Sequence, residues 1–381
     1  MYIKILRRLI LGFILSILIF FSHPQLTFAD PLGNWSSTAN LPVNIASHVS
    51  AFEGGKVFVF GGANVDDYSD VLSSFPNGDG TLSAWTLVSN LPKTRYFGSL
   101  VKKENRTYII GGATFPGFQI IENNVYSTTI DNEGNVSPWE EFASLPGNRG
   151  LGAAVIAGNR IYYAGGFDNS NVVRGEIYYA DINPNGTLGA WTTSAISLPE
   201  PLFGFGMVEH ENNIIVFGGF NGSVFRNKAY RASVNPNGSI SAFTETSALP
   251  EAVYRSSFVK IGSTLISAAG HNGTSLITKV YYTNINSDGT IDPWQQSANT
   301  LPQGMTGSAM AHANGFLYVT GGFGSSGYLD TVYYAPLNIS EGVDLPVPYF
   351  SQNVLPWGPT EYDHAQSIGL SPITMERWGC A

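Results

Sequence analysis

Cysteine is all but missing from this chain: of 381 residues only Cys380 carries a thiol, so no intramolecular disulfide can form. Charged residues are scarce as well, at 12%. The formal net charge is −9 with no basic cluster, which makes nucleic acid a poor partner. The six histidines are scattered without metal-ligand spacing, so neither a metal nor another cofactor is expected. After the first thirty residues almost no stretch has helical periodicity. Plentiful instead are glycine (43), proline (21) and aromatic side chains (13%). That composition favours an all-β chain of short strands and tight turns, stabilised by packing and sheet closure. The length allows one large or two ordinary domains.

Residues 1–29 read as a signal peptide. Lys4, Arg7 and Arg8 form a basic start, Leu9 to Phe21 an apolar run, and Thr27-Phe28-Ala29 a cleavage site. The alternative is a retained anchor, but the apolar run makes about 20 Å of helix against a bilayer core of roughly 30 Å. The expected location is therefore secreted or cell-surface, with membrane contact only through the cleavable segment. Its removal takes the net charge from −9 to −12.

A repeat of about fifty residues organises most of the rest. Glycine pairs follow a hydrophobic strand at Gly61-Gly62, Gly111-Gly112, Gly165-Gly166, Gly218-Gly219 and Gly321-Gly322, with Ala269-Gly270 a weakened copy. An aromatic series keeps step: Trp35, Trp85, Trp139, Trp191, Phe243 and Trp294, each followed by Leu-Pro. Each unit reads as four strands. In the third these are a (Ala153 to Ala157), b (Ile161 to Ala164), c (Ile177 to Ala180) and d (Leu188 to Thr193). Gly158-Asn159 and Asn183-Pro184-Asn185-Gly186 supply the turns. The glycine pair is expected to let backbone crowd near the central axis.

Paired glycines, a tyrosine-bearing strand c and then a tryptophan resemble the kelch repeat, over about residues 31 to 340. The resemblance implies a six-bladed kelch-type β-propeller at residues 30–340, expected to be a monomer. The last repeat lacks its Trp strand and the chain begins with an unpaired one. The Trp35 strand is therefore expected to complete the last blade and close the ring.

Strand order gathers the b–c loops and the d-to-a loops on one face. That face collects Asp66, Asp67, Tyr68, Phe115, Phe118, Phe167, Asp168, Phe220, Asn221, His271, Asn272, Phe323 and Tyr328. Arg95, Arg149 and Arg255 follow Leu-Pro pairs and are expected at the same rim. Arg95, Arg149, Arg255, Asp168 and His271 are thus the ligand-binding candidates, for an extracellular glycan, peptide or protein. The other reading of the arginines is that they belong to the repeat and brace neighbouring blades. No paired carboxylates or nucleophile–histidine spacing in the repeats forces an enzymatic reading.

Residues 341–344 read as a linker, and the tail from 345 to 381 is a different kind of sequence. Val347-Pro348-Tyr349-Phe350-Ser351-Gln352, Trp357-Gly358 and Gly379-Cys380 resemble the start of the papain-like cysteine peptidases of family 39, the double-glycine leader peptidases and their relatives. The resemblance implies an α+β fragment in which Gln352 matches the oxyanion-hole residue and Cys380 the nucleophile. The sequence stops one residue later, without the helix, histidine and aspartate or asparagine such a site needs. As given, the chain is expected not to be a peptidase, and an incomplete gene product is the simplest account. A disordered tail with a chance match is the alternative. The function expected is an exported binding protein that would, when complete, carry a peptidase domain. The alternative is a carbohydrate-active enzyme with its site on the b–c loop face.

Overall fold

The computed structural model describes residues 29–115 and 119–339. The secretion-signal stretch, Phe118 and the tail with Gln352 and Cys380 lie outside the described residues. The chain divides into units of residues 1–339 and 340–381, and all that follows concerns the first.

Six four-stranded antiparallel sheets are present, with no helix among the described residues. The third shows how they form. Strand a (Ala153–Ala157) pairs with strand b (Arg160–Ala164) across the Gly158-Asn159 turn, where Gly158 takes φ +59°. Strand b pairs in turn with strand c (Ile177–Asp181), setting Tyr163 opposite Tyr178. Strand b is buried on both faces after its first residue, so its sequence is a hydrophobic run rather than an alternation.

Strand d is shorter than its sequence suggests, Thr192–Thr193. Leu188 forms only an isolated bridge to Ile182. Between them Trp191 turns toward the preceding repeat, and its Nε1 donates to the Ala143 carbonyl at 2.8 Å. Trp85, Trp294 and Trp35 do the same toward the carbonyls of Ala39, Ser247 and Asn299.

The cores lie between sheets. Tyr162, Ala164 and Ile177 of the third sheet pack with Ile214, Val216 and Met207 of the fourth, and equivalent clusters occupy the other junctions. One cluster joins Val57 and Val59 of the first sheet to Ala311 and Tyr318 of the last. Strand a of the first sheet, Val49–Glu53, accordingly neighbours both Ser99–Lys103 and Ala309–Ala313. The last sheet takes its fourth strand from the other end of the chain: Ser36–Ser37 pairs with Val332–Pro336, Ser36 opposite Tyr334.

The glycine pairs crowd the neighbouring repeat rather than a central axis. The second glycine donates its N–H to a backbone carbonyl in the next d-to-a loop. These bonds are Gly62 to Arg95, Gly112 to Arg149, Gly166 to Leu202, Gly219 to Val253, Gly270 to Met305 and Gly322 to Ile45. The first glycine lies so close to the same carbonyl that a Cβ on Gly218 would sit 2.5 Å from the Val253 oxygen, with φ at +68°. Gly218→Ala combines that clash with a left-handed backbone and is expected to cost about 2 kcal/mol. Urea unfolding with an unchanged midpoint would refute this.

Candidate functional site

The d-to-a loops and the segments after the glycine pairs meet on one face. In every repeat the residue after the pair is bridged to a d-to-a loop residue: Ala63 to Ala46, Ala113 to Tyr96, Phe167 to Gly150, Phe220 to Phe203, His271 to Tyr254 and Phe323 to Thr306. The next loop residue takes positive φ in all six cases: Ser47, Phe97, Leu151, Gly204, Arg255 and Gly307.

These six residues are linked by backbone hydrogen bonds in a closed cycle. Phe97 N–H donates to Ser47, Leu151 to Phe97, Gly204 to Leu151, Arg255 to Gly204, Gly307 to Arg255, and Ser47 to Gly307, at 2.6 to 3.0 Å. Each residue uses one donor and one acceptor, so the cycle leaves none of these amides unpaired. It borders a cavity of about 110 Å³ that His48, Ser256 and Ser308 also line. Beside it lies a larger cavity of about 430 Å³, walled by Tyr96, Phe97, Phe115, Phe323 and Tyr328. Ser47, Phe97 and Arg255 line both.

Aromatic rings run on around this face. Tyr96 contacts Phe97 at 4.7 Å, Phe97 meets Phe167 at 6.2 Å, and Phe167 meets Phe203 at 5.4 Å. Phe203 reaches Phe220 at 5.5 Å, Phe220 stacks on Phe225 at 4.5 Å, and Phe225 meets the ring of His271 at 5.6 Å. Among the described residues eight large apolar side chains are exposed, and five of them (Val65, Phe115, Val172, Val224 and Phe323) belong to these b–c segments.

The structure separates the three arginines. Arg95 and Arg149 stand three residues after their Leu-Pro proline and are buried, where the other repeats carry Ile45, Leu202, Val253 and Met305. Arg95 donates to the Gly111 carbonyl at 3.1 Å and stacks on Tyr126. Arg149 binds Tyr178 and, at 3.3 Å, Glu176. Both brace neighbouring repeats. Arg95 Nε and Nη2 are buried without a hydrogen-bond partner, so Arg95→Met should leave stability within about 1 kcal/mol or raise it. A loss above about 2 kcal/mol in chemical unfolding would show that the guanidinium is needed. Arg255 stands five residues after its proline and belongs to the hydrogen-bonded cycle. Its Nη2 donates to Ser47 Oγ, and its guanidinium lies 5.0 Å from the Phe97 ring centre.

Asp168 is engaged within its own loop. Its carboxylate accepts from Arg174 and from the backbone N–H of Ser170 and Val172. Burial pushes its acidity constant up, but those bonds outweigh burial and hold the carboxyl below its ordinary range. His271 turns Nδ1 to the N–H of Gly273 at 2.9 Å. Two carboxylates that the sequence did not single out do similar work. Glu200 holds Arg226 and Asn221, and Glu251 holds Asn272, Lys279 and Tyr281. Both directly follow a Leu-Pro, which was the available signal. No group of three metal-ligating side chains occurs among the described residues.

Repeated four-stranded sheets with bridged loops on one face define a β-propeller architecture. Residues 32–219 match the family model for the KLHDC2/KLHL20/DRC7 Kelch-repeats domain, and the repeat segment is kelch-repeat sequence. Among curated proteins it is similar to spermatocyte protein spe-26 of Caenorhabditis elegans, 28% identical over 54% of this chain and 35% of that one. Beta-scruin of Limulus polyphemus is 28% identical over 43% of this chain and 18% of its own. Kelch domain-containing protein 10 of Homo sapiens is 26% identical over 42% and 37%. The chain therefore spans about a third or less of these relatives' length. The solved structure of YjhT shares the fold, with a TM-score of 0.61, 13% identity, and 80% of this chain and 98% of that one covered.

Proposed function

We propose that residues 30–339 form a six-bladed ring, closed by the Ser36–Ser37 strand, that binds a partner on its b–c loop face. Support for closure comes from the cycle of six backbone bonds and from the glycine-to-carbonyl bond between Gly322 and Ile45, the counterpart of the other five. The binding reading is carried by one observation, the gathering of exposed apolar side chains on the b–c segments. Such a patch on a ring of rigid sheets marks a contact surface. The secretion-like N-terminus supports an extracellular partner, whether glycan, peptide or protein. Kelch-repeat proteins in general mediate protein interactions, which favours a protein or peptide.

A fragment screen on the full chain, mixing aromatic, sugar and peptide probes and read by crystallography, tests the assignment. Hits should gather beside Phe115, Phe323 and Tyr328. Hits confined to the opposite face, at the Asn183-Pro184-Asn185-Gly186 type of turn, or no hits at all, would overturn it.

A further inference from the structure

Arginine is abundant enough in the described residues to ask what balances each charge. Six of the eight make an ion pair: Arg106 with Glu140, Arg149 with Glu176, Arg160 with Asp181, Arg174 with Asp168, Arg226 with Glu200 and Arg231 with Asp288. Arg95 has Glu122 and Glu141 as charge neighbours. Arg255 differs from all of these, because its charge neighbours are the phenols Tyr254 and Tyr328. Burial pulls its guanidinium below the ordinary range, yet an arginine side chain stays a cation in proteins.

A cation withdrawn from water without a counter-charge is costly, by several kcal/mol. Here that cost is not relieved from within the fold. Nη2 has one neutral acceptor, Ser47 Oγ, and Nε is buried without a hydrogen-bond partner. The left-handed backbone of Arg255, at φ +51°, adds a second cost that an asparagine or glycine would have reduced. Among the residues walling the adjoining 430 Å³ cavity the sole carboxylate is Asp66, and no ion pair joins it to Arg255. The remainder of that wall is largely aromatic and apolar: Val65, Tyr96, Phe97, Phe115, Phe323 and Tyr328.

The geometry points to Arg255 as the seat of a ligand's carboxylate, with the ligand's apolar or aromatic body in the adjoining cavity against Phe97, Phe115 and Phe323. This deepens the loop-face reading and rests on it. The ligand brings the missing negative charge to a site of low dielectric, where a charge-assisted bond is strongest. A ring or short apolar chain fills a space of this size without needing other polar partners.

The test compares 3-phenylpropionate with the uncharged 3-phenylpropionamide by NMR titration of the full chain. The acid is expected to bind about tenfold tighter or more, the effect of one charge-assisted bond. Raising the salt should weaken the acid alone. Arg255→Met should erase the preference while leaving the amide's affinity unchanged, which also shows that the variant is folded. Arg255→Lys should keep part of the preference. A peptide ending in phenylalanine, with free or amidated terminus, distinguishes the source: tighter binding than the free acid indicates a chain end, weaker binding a small organic acid. Equal affinity of acid and amide at the loop face overturns the carboxylate seat and leaves the loop-face reading standing. So does a preference that survives Arg255→Met. Failure of both probes, when other fragments bind that face, overturns it as well.

Discussion

A variant lacking residues 30–38 is expected to lose on the order of 5 kcal/mol or more of stability. The deletion removes Leu32, which is buried in the last core cluster, and the strand that pairs with Val332–Pro336. It also removes Asp30, whose carboxylate accepts from Ser297 Oγ and Ala298 N–H, and Trp35, which reaches the Asn299 carbonyl. The loss falls on three repeats at once: the fifth holds Asp30 and Trp35, the last holds Ser36–Ser37, and the first holds Thr38 through the Leu82 N–H. A synthetic peptide of residues 30–40 should restore part of the stability in trans. A deleted chain that melts within a few degrees of the parent would show that this strand is an ornament.

The second large effect is a loss of stability on mild acidification, centred on His48. Its ring is buried, and Nε2 lies 2.8 Å from Thr320 Oγ1, joining the first repeat to the last. A Cβ on Gly321 would stand 2.9 Å from the His48 ring, which shows how little room is left. Burial pushes the imidazole down to about 4, and the contact with Thr320 opposes this only in part. In the unfolded chain an ordinary histidine titrates near 6.5. Between those values the unfolded state binds more protons, so stability falls as the pH drops from about 6.5 to about 4. Above that window both states are neutral and the full stability is present. The loss across it is about 3 kcal/mol. His210 is shifted the same way by burial and by Lys260, so total acid sensitivity alone does not identify the residue. His48→Gln should flatten the pH dependence in this window, and equal slopes for variant and parent would contradict the assignment. Asp168 and Glu251, held below their ordinary range, act at lower pH and leave the window clear.

Much of the fold was legible because the repeat writes its packing into residue types with few substitutes. The glycine pair is needed where backbone meets a neighbour's carbonyl, and the tryptophan where an indole N–H must reach a carbonyl in the preceding repeat. The unpaired Trp35 strand pointed to the pairing of the chain's two ends, which the Ser36–Tyr334 register bears out as a pairing. Strand d was overestimated because Leu188 looks like a strand residue yet makes only a bridge.

The candidate site was less legible. Arg95 and Arg149 share a register and Arg255 stands two residues further on, a difference visible by counting from Leu-Pro. That shift separates a buried brace from a residue of the hydrogen-bonded cycle. The cycle itself had no sequence signal. Positive φ usually announces itself as glycine, but here Ser47, Phe97, Leu151 and Arg255 adopt it because the neighbouring loops hold them there. Asp168 looked free for a ligand, and only the structure shows Arg174 already bound to it.

Hydrogen exchange of the six cycle amides, those of Ser47, Phe97, Leu151, Gly204, Arg255 and Gly307, tests the closed ring most directly. A closed ring opens cooperatively, so all six should show the same protection and lose it together as denaturant rises. Protection that is strong at Leu151 and Gly204 but lost early at Ser47 and Gly307 would mean that the two ends of the repeat array are not joined.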